Sequence, residues 1–185
     1  MLVTLVGPNI ARSPAATDSF ERLFAREYPR VVAIARRVLA DPHAAEDAAQ
    51  EVFVAFHRGH DPDAPFAAAW LHRAAVHRAL NDLRATRRRT GRETAAHALD
   101  RPVLAAVSAE ADPAAAAERS ESRREVRAAL SQLPERSAAV LALRYAGLSY
   151  SEIAAAVGVK PGAVGTMLVR AESAFKKELA RAASL

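Results

Sequence analysis

Arginine side chains are concentrated at one place in this chain, and their chemistry indicates a polyanionic partner. The cluster consists of Arg84, Arg87, Arg88, Arg89 and Arg92. A guanidinium group binds phosphate oxygens through paired hydrogen bonds, so the cluster predicts contact with a nucleic-acid backbone. The alternative interpretation is a solvated helix end, where basic residues interact favourably with the helix dipole. The formal net charge of +5 is compatible with both interpretations.

Residues 150–167 have the pattern of a helix-turn-helix. Ser149 and Glu152 have the spacing of a capping box, which would begin the first helix. Gly158 stands where the turn needs a positive φ angle, and Pro161 suits the first turn of the next helix. The apolar residues that would pack the two helices are Ile153, Val157, Val159, Val164 and Met167. An ordinary helical hairpin is the alternative.

The second helix of this motif should present its polar side toward the major groove of DNA. Its candidate contact residues are Lys160, Ala163, Thr166 and Arg170. Arg170 is the strongest candidate for contact with a base or a phosphate, because arginine can do both.

Catalytic chemistry has little support in the sequence. We find no paired nucleophile and base and no glycine-rich loop that would cradle phosphate, so neither an enzyme nor a cofactor is predicted. The chain has no cysteine, which excludes disulfides and cysteine-ligated zinc. A metal site built from loop residues is a minor alternative to a metal-free loop. Its ligands would be His57, His60, Asp61 and Asp63.

The composition favours helices as the elements that position these residues. Hydrophobic residues make up 51% of the 185 residues, and glycine occurs only 7 times. Alanine, leucine and arginine are strong helix formers, so the predicted fold class is all-α. Residues 1–10 lack a basic start and contain Gly7 and Pro8, which makes them a poor signal peptide. Because no apolar run is long enough to span a bilayer, we expect a cytoplasmic protein without membrane insertion.

Apolar periodicity divides the chain into two small helical domains. The first would cover residues 18–92, with Pro29 splitting an early helical run and Asp41-Pro42 beginning the next helix. Residues 58–65 are a loop by composition, and a long helix follows from Phe66 to about Arg89. We predict an extension over residues 1–17, a flexible linker over 93–120, and a second domain over 121–185 that holds the helix-turn-helix.

Two blocks of sequence resemble the sigma-70 family of RNA polymerase sigma factors, in its extracytoplasmic-function (ECF) group. The segment from Leu130 to Ala154 resembles region 4 of that family. The segment DAAQEVF at 47–53, and WLHRAA at 70–75 with the arginines after it, resemble region 2. The resemblance covers residues 18–89 and 121–180, and two blocks in this order with a short linker are typical of the ECF group.

The resemblance implies a role without catalysis, in which the chain brings RNA polymerase core to promoters and helps to open them. It implies contact with the beta and beta-prime subunits of polymerase through Asp47, Gln50, Glu51 and Phe53. It implies −10 recognition and melting by His60, Asp61, Trp70, Arg73, His77, Asn81, Arg84, Arg87 and Arg88. It implies −35 recognition by Arg144, Lys160, Ala163, Thr166 and Arg170. Members of the group are commonly inhibited by an anti-sigma protein, which is a further implied partner.

Simpler interpretations of the same residues remain open. The acidic residues at 47–51 could be a solvated surface, and Trp70 could pack in the core instead of stacking on an unpaired base. A stand-alone helix-turn-helix regulator, with the first domain used for dimerisation or ligand binding, is the main rival function.

The sequence also departs from the family pattern. His77 and Asn81 stand where the family usually has Asn and Asp, which puts the −10 preference in question. Ala163, Gly165 and Met167 stand where Thr, Lys and Arg are common, so we expect weaker −35 binding or a different sequence preference.

Overall fold

The computed structural model describes residues 14–39, 41–96 and 113–182, and every regular element in these ranges is an α-helix. The all-α prediction is therefore confirmed. The helices are α1 (Pro14–Leu39), α2 (Pro42–Gly59), α3 (Ala67–Ala96), α4 (Pro113–Gln132), α5 (Glu135–Tyr145), α6 (Tyr150–Val157) and α7 (Pro161–Ala182).

Helices α1, α2 and α3 pack on one another and form what we call the N-terminal unit. Each helix has an apolar stripe at helical spacing, and the three stripes meet in a common core. Ile34, Phe56, Leu71 and Leu80 are completely buried there. Helix α2 begins as its sequence predicts, since the Asp41 carboxylate accepts a hydrogen bond from the His43 amide at 3.0 Å and Pro42 occupies the first turn.

Helix α1 differs from the sequence-based expectation. Pro29 was expected to separate two helices, but it lies inside a single continuous helix that already begins at Pro14. A proline inside a helix removes one backbone hydrogen bond and costs about 3 kcal/mol. Burial of Val31, Ile34 and Val38 against α2 and α3 offsets this cost, which is why the helix continues through the proline.

Helices α4 to α7 form the C-terminal unit. Helix α7 packs against α4, α5 and α6. Leu143, Leu148 and Ile153 are almost fully inaccessible to solvent and form the centre of this second core. Gly147, with φ of +94°, follows the end of α5 and lets the chain turn toward α6.

Two helices extend into the segment that was expected to be a linker. Helix α3 continues to Ala96, and α4 begins at Pro113, ahead of the expected start at Glu121. The remaining linker residues, 97–112, and the extension residues 1–13 lie outside the described residues.

The two units lie against each other. Helix α3 contacts α4, α5 and α6, and α1 contacts α4 and α5. Several contacts between the units are polar, and they involve His77, Arg84 and Arg87, which the family resemblance implies in −10 recognition. Taken alone, no helix in the described ranges is long and apolar enough to cross a bilayer.

Candidate nucleic-acid and polymerase interface

The helix-turn-helix prediction is confirmed by the local geometry of α6 and α7. The Ser149 hydroxyl accepts a hydrogen bond from the Glu152 amide at 3.3 Å, and the Glu152 carboxylate accepts one from the Ser149 amide at 2.8 Å. This pair is the capping box that the sequence predicts. Gly158 has φ of +70°, and α7 begins at Pro161 with an axis turned by 87° from that of α6.

Packing explains why the two helices keep this angle. Ile153 and Val164 are fully buried between α6 and α7, and Ala154 is small where the helices approach each other. Val157, Val159 and Met167 are partly buried against the same core, as expected. These contacts leave the opposite side of α7 open to solvent.

The predicted −35 residues lie on this open side. Lys160, Ala163, Thr166 and Arg170 are all exposed. Residues 163, 166 and 170 are three and four positions apart, which places them on one helix face. Arg144 lies at the end of α5, and its guanidinium carbon is 5.5 Å from the centre of the Tyr150 ring, a cation–π contact.

Replacement of Gly158 by alanine should destabilise the chain by about 1 kcal/mol, because a Cβ atom disfavours the left-handed backbone at this position. The matched control is Gly165→Ala, which should stabilise α7 by up to about 1 kcal/mol. A Cβ atom at Gly165 would meet only the Tyr150 Cε2 atom, at an ordinary contact distance of 3.7 Å. Urea unfolding of both variants measures the difference, and equal stabilities would contradict the assigned role of Gly158.

The predicted polymerase-binding residues of α2 divide into two groups. Asp47, Gln50 and Glu51 are exposed and line a shallow groove. The groove is completed by Val54, Ala55 and Arg58. Arg78 of α3 forms an ion pair with Glu51 and another, at 2.8 Å, with Asp82. The Glu51 carboxylate of the acidic surface is therefore paired with a guanidinium group from α3.

Phe53 is the exception, because the structure buries its side chain and does not offer it for direct contact with polymerase. Its side chain is only 3% exposed and packs in the aromatic cluster between α1 and α2. The ring centre of Phe53 lies 4.8 Å from that of Phe24 and 5.9 Å from that of Tyr28. The Phe53 ring is buried because α1 covers this side of α2. Phe53 therefore packs α2 against α1, while Asp47, Gln50 and Glu51 of the same helix remain exposed.

The loop after α2 brings aromatic rings together beside α3. The ring centres of His60 and Trp70 are 4.6 Å apart, and those of Phe56 and Trp70 are 5.5 Å apart. Trp70 is partly buried and packs on the core, so its ring serves packing and also borders the loop. Phe66, where the sequence predicted that the long helix begins, is 51% exposed, and its ring centre lies 5.9 Å from that of His60.

A hydrogen bond shapes this loop. The Asp61 carboxylate accepts a hydrogen bond from the Asp63 amide at 3.0 Å, which is the local turn that aspartate favours.

The four residues considered as metal ligands, His57, His60, Asp61 and Asp63, do not come together as a metal site. Within the described ranges, no three or more His, Asp or Glu side chains form a group that could hold a metal ion.

The remaining predicted −10 residues follow one another along α3. Arg73, Asn81 and Arg88 are exposed. His77, Arg84 and Arg87 instead contact the C-terminal unit. The Arg84 guanidinium donates to the Leu133 carbonyl at 3.1 Å, and the Arg87 guanidinium donates to the Ala128 carbonyl at 2.9 Å.

A buried ionisable pair, which the sequence interpretation did not identify, joins α1 to α3. His72 and Glu27 are 1% and 2% exposed, and the His72 Nε2 atom lies 2.9 Å from the Glu27 carboxylate. Burial lowers the pKa of His72 and outweighs the opposing effect of Glu27. Burial alone would raise the pKa of Glu27, but hydrogen bonds with Arg26 and His72 lower it overall. The arrangement is therefore a neutral histidine that donates to an ionised glutamate.

The two units match known protein-family models. Residues 23–89 match Sigma-70 region 2, and residues 123–175 match Sigma-70, region 4. These ranges correspond to α1–α3 and to α4–α7, so each matched model falls on one packed unit.

Full-length comparisons agree with these matches. The chain is 34% identical over 174 residues to the ECF RNA polymerase sigma factor SigE of Mycolicibacterium smegmatis, covering 92% of this chain and 65% of that protein. It is 33% identical over 169 residues to the RNA polymerase sigma factor CarQ of Myxococcus xanthus, covering 88% of both.

A solved structure shares the arrangement of helices. It is CnrH in complex with the cytosolic domain of CnrY, with a TM-score of 0.53, 25% sequence identity, and coverage of 89% of this chain and 90% of that chain. With two region models in the expected order and relatives matched over most of its length, the chain belongs to the ECF group of the sigma-70 family of RNA polymerase sigma factors.

Proposed function

We propose that this chain directs bacterial RNA polymerase core to specific promoters and assists promoter opening, without catalysing a reaction itself. One observation carries the proposal: an exposed acidic groove and a helix-turn-helix with an open outer face occur in one chain, each in the unit that matches the corresponding sigma region. We further propose that the protein acts in the cytoplasm, where the polymerase is found.

The C-terminal unit would bind the −35 duplex through the outer face of α7. Lys160 and Arg170 supply positive charge for phosphates and base edges. Ala163 and Thr166 offer methyl groups that suit apolar contact with a thymine methyl. The Arg144 guanidinium, which lies against the Tyr150 ring, would be beside this face and contact the phosphate backbone of the DNA.

The N-terminal unit would hold the separated −10 strand. The His60, Trp70 and Phe66 rings provide flat surfaces on which an unpaired base can stack, and such stacking contributes about 1–3 kcal/mol per base. Asp61 orders the loop beside these rings. The basic and polar side chains that would follow the strand along α3 are Arg73, His77, Asn81, Arg84, Arg87 and Arg88.

The acidic groove of α2 would dock on polymerase core. Asp47, Gln50 and Glu51 present carboxylate and amide groups that can pair with basic groups on the beta and beta-prime subunits. Val54, 47% exposed in the same groove, would add an apolar contact.

Run-off transcription with purified core polymerase and genomic DNA tests the proposal. We expect discrete transcripts that require this chain. Specific binding to duplex DNA without polymerase, together with no stimulation of transcription, would support a stand-alone helix-turn-helix regulator instead.

Loss of the Arg170 side chain should weaken initiation at promoters that depend on the −35 element. One arginine contact to a base contributes about 1–3 kcal/mol, so we expect at least about a fivefold decrease in transcript from a defined target promoter for Arg170→Ala. Lys177→Ala is the control, because Lys177 is also an exposed cation of α7 but lies about two helical turns further along the helix than Arg170. Wild-type transcription by Arg170→Ala would reject the assignment.

An anti-sigma protein is a further proposed partner. The matched CnrH structure contains the cytosolic domain of CnrY, and its coverage of this chain includes most of both units. Purification of the chain from its native host, followed by identification of a stoichiometric protein that inhibits run-off transcription, would establish such a partner.

A further inference from the structure

Helix α4 carries a row of arginines that its own sequence leaves without acidic partners. Arg119, Arg123 and Arg127 are four positions apart, so they follow one side of the helix, and we call them the α4 arginine row. The positions three and four residues before and after each of them hold only alanine, serine, valine, leucine or arginine. Like charges at this spacing repel each other, so the row weakens the helix that carries it.

Arginines on other helix faces of the chain are paired. The side chains of the α4 arginine row form no ion pair or hydrogen bond with any residue that the structure describes, so their guanidinium groups remain available to an external anion. Four other arginines form an ion pair with an acid three or four positions away in the same helix. These pairs are Asp18–Arg22, Arg78–Asp82, Glu121–Arg124 and Glu178–Arg181.

The acidic residues of α4 lie on the opposite side of the helix from the row. Glu121 follows Arg119 by two positions and Glu125 follows Arg123 by two positions. Two positions correspond to a rotation of about 200° around the helix axis. One side of α4 is therefore basic and the other acidic, and a basic side of this kind suits a partner with a continuous negative charge.

Arg127 gives a second indication of an external anion. Its side chain is partly buried, whereas Arg119 and Arg123 are exposed. Burial lowers the pKa of Arg127, and the charge of Arg123 lowers it further. A charged group that loses contact with water needs an opposite charge, and no described carboxylate supplies one to Arg127. A phosphate that binds the row would supply it.

We propose that the α4 arginine row binds the phosphate backbone of double-stranded DNA beside the −35 element, on the side of the −10 element. Arg119 and Arg127 are eight positions apart, which is about 12 Å along the helix axis. One strand of duplex DNA carries a phosphate every 3.4 Å or so along its axis, so the row spans about three to four phosphates. Contacts of this kind position a protein on DNA without reading its sequence.

The location on the promoter rests on the proposed function. Helix α4 packs against α7, so it is held beside the duplex that α7 would bind. The chain reaches α4 from the unit that would hold the −10 strand. The beginning of α4, where Arg119 lies, would therefore be directed toward the DNA between the two elements.

A double variant of the exposed part of the row tests the phosphate contact. Arg119→Gln/Arg123→Gln removes two guanidinium groups that contribute nothing to the core. The control, Arg36→Gln/Arg37→Gln, removes two exposed arginines from the last turn of α1. Each variant loses two positive charges, so the net charge falls from +5 to +3 in both. Thermal unfolding should show that both remain folded.

The salt dependence of DNA binding measures the number of phosphates contacted. The probe is a fluorescent duplex of about 30 base pairs with random sequence, bound by the full chain without polymerase. For the row variant we expect the plot of log affinity against log salt to be less steep by about 1.8, which is about 0.9 for each lost contact. The control should have the wild-type slope. An equal change in both variants, or no binding of this duplex by the wild type at low salt, would overturn the proposal.

Replacing Arg127 by methionine separates binding from folding. The change removes a partly buried charge that lies beside another cation, and it keeps a long apolar side chain. Without DNA, the free energy of unfolding should therefore be equal to or higher than that of the wild type, while the salt slope should fall by about 0.9. A purely structural role of Arg127 predicts the reverse, a lower stability with an unchanged slope.

Neutral phosphates locate the contact on a promoter. The polymerase holoenzyme that contains this chain should bind a target promoter less tightly when the phosphates beside the −35 element are replaced by methylphosphonates. The holoenzyme with the row variant should bind both DNAs equally. Equal binding by the wild type would overturn the location.

Two further outcomes separate this site from the proposed function. If the chain supports no transcription but the salt slope changes as expected, the promoter location fails with the proposed function and the phosphate site on α4 stands. If the row variant keeps the wild-type slope on DNA but is retained less by core polymerase, the row binds a protein surface and the proposal is overturned.

Discussion

Replacing Asp47 by arginine should lower the affinity of the chain for RNA polymerase core by at least about tenfold, which is about 1.4 kcal/mol. Asp47 is exposed at the edge of the α2 groove, beside Gln50 and Glu51. If basic groups of the polymerase face this groove, an arginine places like charges together, and such juxtaposition costs several kcal/mol. Asp47→Ala should have a smaller effect, because it removes an attraction without adding repulsion. Pull-down with core polymerase at several salt concentrations measures both changes.

Glu46→Arg is the matched control for this experiment. Glu46 is an exposed acid on the same helix, next to Asp47 in sequence, but it does not line the groove. The two variants have the same net charge, so a general electrostatic effect would weaken both equally. Retention of Asp47→Arg at the wild-type level would reject the docking role of this surface.

Replacing Glu27 by alanine should destabilise the chain by about 3 kcal/mol, because it leaves His72 buried without its hydrogen-bond partner. Glu27→Gln should lose less, since an amide oxygen can still accept the hydrogen bond from His72. Glu21→Ala, at an exposed position of α1, should be nearly neutral. Urea unfolding near neutral pH measures all three, and a loss below about 1 kcal/mol for Glu27→Ala would contradict a stabilising role for the pair.

The same pair predicts a pH dependence of stability. His72 and Glu27 both have folded-state pKa values below their ordinary values of 6.5 and 4.5. The unfolded chain therefore binds more protons as the solution becomes acidic, and the free energy of unfolding falls with it. The contribution of His72 is complete above about pH 6.5 and is lost as the pH falls toward its lower folded-state value, and that of Glu27 is lost below about pH 4.5. Below about pH 4.5 the wild-type chain should lose more stability on further acidification than Glu27→Gln, which has no carboxylate to protonate at this position; parallel curves in that range would contradict this.

Features that depend on local chemistry could be predicted from the sequence. The Asp41 cap, the Ser149–Glu152 capping box, the left-handed Gly158 and the helix start at Pro161 all occur as expected. Each needs only residues a few positions apart, and the energetic preference for the observed backbone is present in the segment itself.

Features that depend on packing between helices distant in sequence were harder to predict from the sequence. Pro29 lies within a helix because the surrounding side chains are buried, and propensity alone favours a break there. Phe53 shares its helix with the acidic residues, but α1 covers it. The contact between the two units involves residues 41 to 122 positions apart, the largest separation being that of Arg30 and Glu152, and no local pattern records such a pairing.

The Glu27–His72 pair did leave a signal in the sequence. Glu27 falls midway between Leu23 and Val31, four positions from each, on the apolar stripe of α1. A carboxylate at such a position must find a partner in the core, because an unpaired buried charge is strongly unfavourable. The identity of that partner could be learned only from the fold, which brings His72 of α3 beside it.

Trp70 is the sole tryptophan of the chain, and its ring lies against His60 and Phe56 at the proposed strand-binding loop. Its ultraviolet emission is therefore an intrinsic optical probe of this one location. Arrival of a nucleobase beside the indole should quench or shift that emission in real time. Capture of the strand can thus be timed by stopped-flow fluorimetry on unmodified protein, without any attached dye.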